Sequence, residues 1–188
     1  GRVLVLDPFW DLRWARESLR GLDVAVEESD APAGDDVIGL LVTDATRIGA
    51  AELAQLPRLR AVATASTGHD HLDVAALAAA GVWASNVTGY CDDEVAEHAL
   101  AFAVDLLRGV TLLDRDVRRG GWDVMHNPPR RIEGARLGIA GFGRIGRVVA
   151  GRARGLGMQV AAYDPVVPHL AIQAEDVEPA RDLEELLA

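Results

Sequence analysis

Gly141, Gly143 and Gly146 stand in the spacing G-x-G-x-x-G, directly after a short apolar run at residues 137–140 and directly before an amphipathic helical pattern. That order has a chemical meaning. Gly141 permits the tight turn out of a buried strand, Gly143 lets the backbone approach a pyrophosphate, and Gly146 lets the new helix pack closely on the sheet. The free N–H groups at the helix start then face the phosphates. After the helix, a second apolar run at residues 160–163 ends in Asp164, where an acid is needed to bind a ribose. A carboxylate there accepts hydrogen bonds from a free 2′-hydroxyl and repels a 2′-phosphate. No Arg follows it closely, so NAD is expected rather than NADP. Strand, glycine triplet, helix and acid-ended strand fall within ~30 residues, the length of one βαβ unit.

A second chemically suggestive stretch runs from Ser66 to Asp73, reading Ser-Thr-Gly-His-Asp-His-Leu-Asp, after an apolar run at residues 59–65. Thr67 and Gly68 could offer backbone N–H groups to a small carboxylate, with Gly68 allowing close approach. An ordinary strand-to-helix loop, with Asp70 or Asp73 capping the next helix, fits the spacing equally well. His69 and His71 straddle Asp70, but no other His or Cys stands at a recognised ligand spacing, so no metal is expected. His98, inside a helical pattern, could be a base; a structural histidine held by Glu94 or a carbonyl is the commoner case.

The elements that must position these residues alternate. Residues 3–6, 24–26, 37–43, 59–65 and 82–87 have the character of strands, and the segments around 12–19, 48–56 and 74–80 that of helices. Such alternation predicts a parallel sheet covered on both faces, with ligands at the carboxyl ends of the strands. Asp92, Asp93, Glu94 and Glu97 then open a long helix reaching about Arg108, with an expected apolar stripe of Val95, Ala99, Leu100, Ala103, Leu106 and Leu107. Residues 112–117, Gly120-Gly121-Trp122 and Asn127-Pro128-Pro129 make an arm with breakers. Trp10, Trp14, Trp83 and Trp122 are expected in core or interface.

Composition narrows the function classes. All 19 basic residues are arginine and the formal net charge is −10, which argues against a nucleic-acid or anionic-membrane surface. Cys91 is the only cysteine, so no intramolecular disulfide or cysteine zinc cage can form, and a reducing, cytoplasmic setting fits. No apolar run reaches membrane-spanning length, and neither a signal peptide nor an anchor is expected.

Taken in order, Ser66 to Asp73, Gly81-Val82 through Asn86, Glu94-Val95-Ala96-Glu97-His98-Ala99, and Gly138-Ile139 through Asp164-Pro165 resemble the D-isomer-specific 2-hydroxyacid dehydrogenase family. The resemblance implies an α/β chain: a flavodoxin-like parallel-sheet substrate domain at 1–88, incomplete; a linker helix and dimerisation arm at 89–135; and the N-terminal part of a Rossmann, doubly wound NAD-binding domain at 136–188. It also implies that Thr67 and Gly68 hold the substrate carboxylate, that Arg144 and Ile145 contact the cofactor pyrophosphate, and that Asp164 holds the adenosine ribose. A homodimer is the implied assembly, and a small 2-hydroxy or 2-keto acid the implied substrate. The family's arginine, glutamate and histidine, which act on the substrate carboxylate and hydroxyl, have no counterpart in this sequence. The chain is therefore expected to be a fragment, inactive by itself, with an exposed edge on its first nucleotide-domain strand. The alternative is a non-catalytic NAD(H)-dependent binding module of the corepressor kind, which dimerises on its cofactor.

Overall fold

Apolar runs rich in Val, Leu and Ala become parallel strands in the computed structural model, which describes residues 1–7, 11–123, 125 and 128–188. They fall in two units, Gly1–Tyr90 and Cys91–Ala188. Trp10 and Asn127, both named above, lie outside the described residues.

The first unit contains β1 (Arg2–Val5), α1 (Arg13–Ser18), β2 (Ala25–Glu28), β3 (Val37–Val42), α2 (Ala50–Leu53), β4 (Ala61–Thr64), α3 (Val74–Ala79) and β5 (Trp83–Ser85). Its sheet runs β2-β1-β3-β4-β5 with every pairing parallel, the flavodoxin-like order. Strand alternation divides the core in two. Leu4, Leu6, Leu40, Val42 and Val62 pack on one face with Leu77 of α3 and Leu53 of α2. Val3, Val5 and Val26 pack on the other with Leu12, Ala15 and Leu19, in and around α1.

Cover on both faces is only partial. Gly39, Ala61 and Trp83 continue the row that begins at Val3, and there Ala61 is exposed and Trp83 is 81% exposed. Connections of one hand stepping in one direction put α2 and α3 on the same face, which leaves α1 alone on the other. Trp14 and Trp122 are likewise exposed, so none of the described tryptophans is a core residue.

The second unit contains α4 (Asp92–Arg108), α5 (Val110–Arg118), β6 (Arg136–Ala140), α6 (Arg144–Gly155), β7 (Gln159–Tyr163), α7 (His169–Gln173), β8 (Glu178–Pro179) and α8 (Leu183–Leu187). Its parallel sheet runs β6-β7-β8, and no described strand pairs with the outer edge of β6. Ile139, Val160 and Ala162 pack on one face with Val149, Ala150 and Ala153 of α6. Leu186 of α8 joins Ala161 and Ala180 on the other.

α4 carries Asp92, Asp93 and Glu94 in its first turn, where they suit the helix dipole, and it ends at Gly109 with φ 64°. Its buried face differs from the expected stripe. Ala96 and Leu100 are buried and Leu107 packs against the same core, whereas Val95, Ala99 and Leu106 are exposed, Leu106 at 83%. The helix lies against α6, and small Ala side chains admit that close approach. The larger apolar arc, Val95, Phe102 and Leu106, faces outward. His98 lies edge-on to Phe102, with ring centroids 4.6 Å apart, rather than against Glu94. No helix among the described residues is long and apolar enough to cross a membrane.

Candidate active-site elements

The glycine triplet forms a turn at the carboxyl end of β6. Gly141 takes φ 98° and its N–H donates to the Tyr163 carbonyl at 2.7 Å, which locks the turn to the end of β7. Gly146 is held against that turn: a Cβ at this position would sit 2.2 Å from the Gly141 carbonyl oxygen. Gly143 differs, because a Cβ there would meet nothing within 4 Å. It borders a cleft of about 490 Å³ lined by Ile139, Ala140, Gly141, Gly143, Arg144, Ile145 and Gly146. No side chain caps the start of α6 and no acid stands in its first turn, so its first N–H groups and the positive end of its dipole face this space.

Asp164 fastens the cradle. One carboxylate oxygen accepts from the Phe142 N–H at 2.7 Å; the other accepts from Val166 N–H at 2.8 Å and Val167 N–H at 2.9 Å. The donors at Val167, Phe142 and Val166 hold its pKa below the usual carboxylate value. Two carboxylate oxygens offer about four lone-pair positions, so Oδ2 retains capacity for a further donor. Phe142 is fully buried, and the Arg147 guanidinium lies over its ring, 4.9 Å from the centroid. Arg144 projects from the first turn of α6 and donates through Nε to Asp92 Oδ2 at 3.0 Å, leaving its terminal nitrogens outside that pair.

In the first unit the loop after β4 has its carbonyls anchored one after another. Ser66 O accepts from Val87 N–H at 3.1 Å, Thr67 O from Asn86 Nδ2 at 2.7 Å, and Gly68 O from Ser66 Oγ at 2.8 Å. Thr67 Oγ1 also donates to Val87 O at 2.9 Å. In a planar trans peptide the C=O and the following N–H point opposite ways. Each anchored carbonyl therefore turns the next N–H away from its anchor. The Gly68 and His69 N–H groups donate to no acceptor among the described residues. Gly68 borders a polar cleft of about 440 Å³ shared with Asp44, Arg47, Ser66, Asp70 and His71.

Asp73, not Asp70, caps the following helix, accepting from Ala76 N–H at 2.9 Å. His71 Nε2 meets Thr64 Oγ1 at 3.0 Å. Among the described residues no group of three or more His, Cys, Asp and Glu is arranged to hold a metal.

Residues 100–188 match the family model described as the D-isomer specific 2-hydroxyacid dehydrogenase, NAD binding domain. The chain is 37% identical over 158 residues to D-3-phosphoglycerate dehydrogenase of Mycobacterium bovis, covering 84% of this chain and 28% of that protein. It is 38% identical over 155 residues to (S)-sulfolactate dehydrogenase of Chromohalobacter salexigens, covering 82% of this chain and 50% of that protein. The chain belongs to the D-isomer-specific 2-hydroxyacid dehydrogenase family. It spans half or less of the length of these two relatives. The fold agrees. D-lactate dehydrogenase from Aquifex aeolicus, solved with NAD and lactic acid, superposes with a TM-score of 0.86 over 100% of this chain and 57% of its own, at 24% identity.

As a member of the D-isomer-specific 2-hydroxyacid dehydrogenases, the chain takes NAD as its cofactor. The second unit fits it: a glycine wall with space where a side chain would stand, an uncapped helix start, and an acid with acceptor capacity to spare. The structure brings Gly141, Gly143, Arg144, Ile145 and Gly146 together around one cleft, with Asp164 bonded to the turn between them. Thr67 and Gly68 lie in the first unit, in the anchored loop. Sequence reasoning missed Ser66, Asn86 and Val87 as the anchors of that loop. Only Asn86, a polar residue just after a strand, left a signal.

Proposed function

We propose that the chain supplies the cofactor grip and the substrate-carboxylate loop of an NAD-dependent oxidoreductase of small D-2-hydroxy and 2-keto acids. When bound, NAD supplies the hydride acceptor, and NADH the donor, for interconverting the two. In this reading the N–H groups at the start of α6 bind the pyrophosphate with Arg144 and Ile145, Gly143 admits it, and Asp164 accepts from the adenosine ribose. Thr67 and Gly68 hold the substrate carboxylate in the first unit. The relatives' names support the substrate class: phosphoglycerate and sulfolactate are both small acids.

We assign no acid–base role to a described residue of this chain. In this reading the family's histidine and glutamate, which act on the hydroxyl proton, and its arginine, which grips the substrate carboxylate, are assigned to no residue of this chain, and these 188 residues alone are expected to bind without turning over. We assign the outward arc Val95, Phe102 and Leu106 of α4, with Val110 of α5, to a homodimer interface, since it exposes large apolar side chains in a row. The lone Cys91 accords with a reducing, cytoplasmic setting.

The observation that carries the reading is the contrast between Gly146, which has no room for a Cβ, and Gly143, which has open cleft in front of it. Titration of the 188-residue protein with NADH, followed by nicotinamide fluorescence, tests it. Saturable binding that is lost in Gly143→Val, with the fold intact, supports the cradle; NADH binding unchanged in that variant refutes it. A doubling of mass on adding NAD(H), with no oxidation by any 2-keto acid in a family-length protein, would favour the binding-module alternative.

A further inference from the structure

Thr64 is a buried hydroxyl, 2% exposed, at the end of β4, and it lies in a chain of contacts that ends on the carboxylate loop. His71 Nε2 lies 3.0 Å from Thr64 Oγ1, Thr64 Oγ1 lies 2.8 Å from Ser66 Oγ, and Ser66 Oγ lies 2.8 Å from the Gly68 carbonyl. The direction of the chain is fixed by its last member. A carbonyl only accepts, so the single Ser66 hydroxyl hydrogen goes to Gly68 O. Ser66 then accepts from Thr64, which commits the single Thr64 hydrogen. Thr64 therefore accepts from His71, and Nε2 must carry hydrogen.

This relay fixes one particular peptide plane. The Gly68 carbonyl and the His69 N–H belong to the same planar unit, so holding the oxygen toward Ser66 turns the His69 N–H to the opposite side. The preceding units are held from elsewhere, by Val87 N–H on Ser66 O and by Asn86 on Thr67 O. Of the anchored peptides, the Gly68–His69 unit alone depends on a side chain of its own loop.

We infer that His71 is a positioning residue: acting through Thr64 and Ser66, it sets the Gly68–His69 peptide and so presents the His69 N–H, with that of Gly68, to the carboxylate of a 2-hydroxy or 2-keto acid. The inference rests on the reading of this loop as the carboxylate loop. It adds His69 to the binding groups and gives Thr64, Ser66 and His71 a reason to be polar at the edge of an apolar sheet. Burial of the Thr64 hydroxyl makes the relay costly to interrupt, because a buried hydroxyl without a partner is destabilising.

The test uses the 188-residue protein, ¹⁵N-labelled, with pyruvate as the probe. The imidazole ¹⁵N shifts of His71 are expected to show the Nε2–H form. Thr64→Val and His71→Leu are expected to move the His69 amide resonance and to weaken pyruvate binding about fivefold, the affinity equivalent of one net hydrogen bond. His71→Gln, whose amide nitrogen can reach the Nε2 position, should restore both. Ser66→Ala, nearer the surface, cuts the same chain should Thr64→Val not fold. An Nδ1–H tautomer, or a His69 amide unmoved by the variants that fold, overturns the inference whatever pyruvate does. Pyruvate shifts of equal size in wild type and variants overturn the role of His71 while leaving the carboxylate reading intact. A relay that is present, with no pyruvate effect on Gly68 or His69 in the wild type, overturns the carboxylate reading and the role of His71 with it.

Discussion

The Asp164 carboxylate and the Phe142 N–H meet at 2.7 Å, so the acid at the end of β7 holds the middle of the glycine turn at the end of β6. This one contact makes Asp164 the fastening of the cradle.

Asp164→Ala should therefore damage the cradle itself. Loss of the bonds to Phe142, Val166 and Val167 frees the turn, and NADH affinity is expected to fall by about tenfold or more, beyond one ribose hydrogen bond. Fluorescence titration checks the affinity. Hydrogen exchange at residues 141–147 should quicken in the same variant.

The same bonds give a pH dependence of known sign. They hold the Asp164 pKa below its ordinary value, with Val167 N–H the leading cause, so the contribution is full above the unfolded carboxylate pKa and is lost as pH falls through the lower folded value. Between about pH 6, above the ordinary carboxylate pKa, and about pH 3, below it, the wild type should lose more of its thermal midpoint than Asp164→Asn, with the loss concentrated at the acid end. Calorimetry of the two proteins across that range tests the difference.

Two alanine substitutions separate folding from binding. At Gly146 an added Cβ would lie 2.2 Å from the Gly141 carbonyl, so Gly146→Ala is expected to cost about 2 kcal/mol or more despite the better helix propensity of Ala. At Gly143 the Cβ enters open cleft, so Gly143→Ala should leave stability within about 0.5 kcal/mol. NADH affinity should nevertheless drop in Gly143→Ala. Urea denaturation alongside NADH titration distinguishes the two.

The outward arc of α4 predicts a change in assembly. Phe102→Asp with Leu106→Asp replaces side chains that are 60% and 83% exposed, so the fold should be kept. Sedimentation is expected to show the wild type at twice the chain mass of 20.0 kDa and the double variant at that mass.

The cradle could be foreseen because its demands fall on the backbone: a positive φ at Gly141 and a carbonyl in contact with Gly146 leave few residues to choose from. The alternating runs likewise foretold the parallel sheets, since a strand buried on both faces has a recognisable composition. The face of α4 was another matter. Ala96 with Leu100, and Val95 with Phe102 and Leu106, are both apolar arcs of helical period, and periodicity cannot say which of two will meet α6. The expected stripe drew from both. His71 was hidden for a different reason: its partner Thr64 lies seven positions back on a strand, across a loop whose course no local rule fixes.

The fastening of Phe142 to Asp164 has a consequence during synthesis. These residues are brought together only by the pairing that sets Ala140 opposite Tyr163. A slip of β7 by one position would carry the carboxylate about 3.3 Å along the strand and invert the faces of its neighbours, leaving the turn unfastened. On the proposed function, a nascent chain would have no fastened cradle when the glycines emerge from the ribosome. It would acquire one only when Asp164 has followed them out and β7 has docked in register, so that cofactor capture would report correct alignment of the growing sheet.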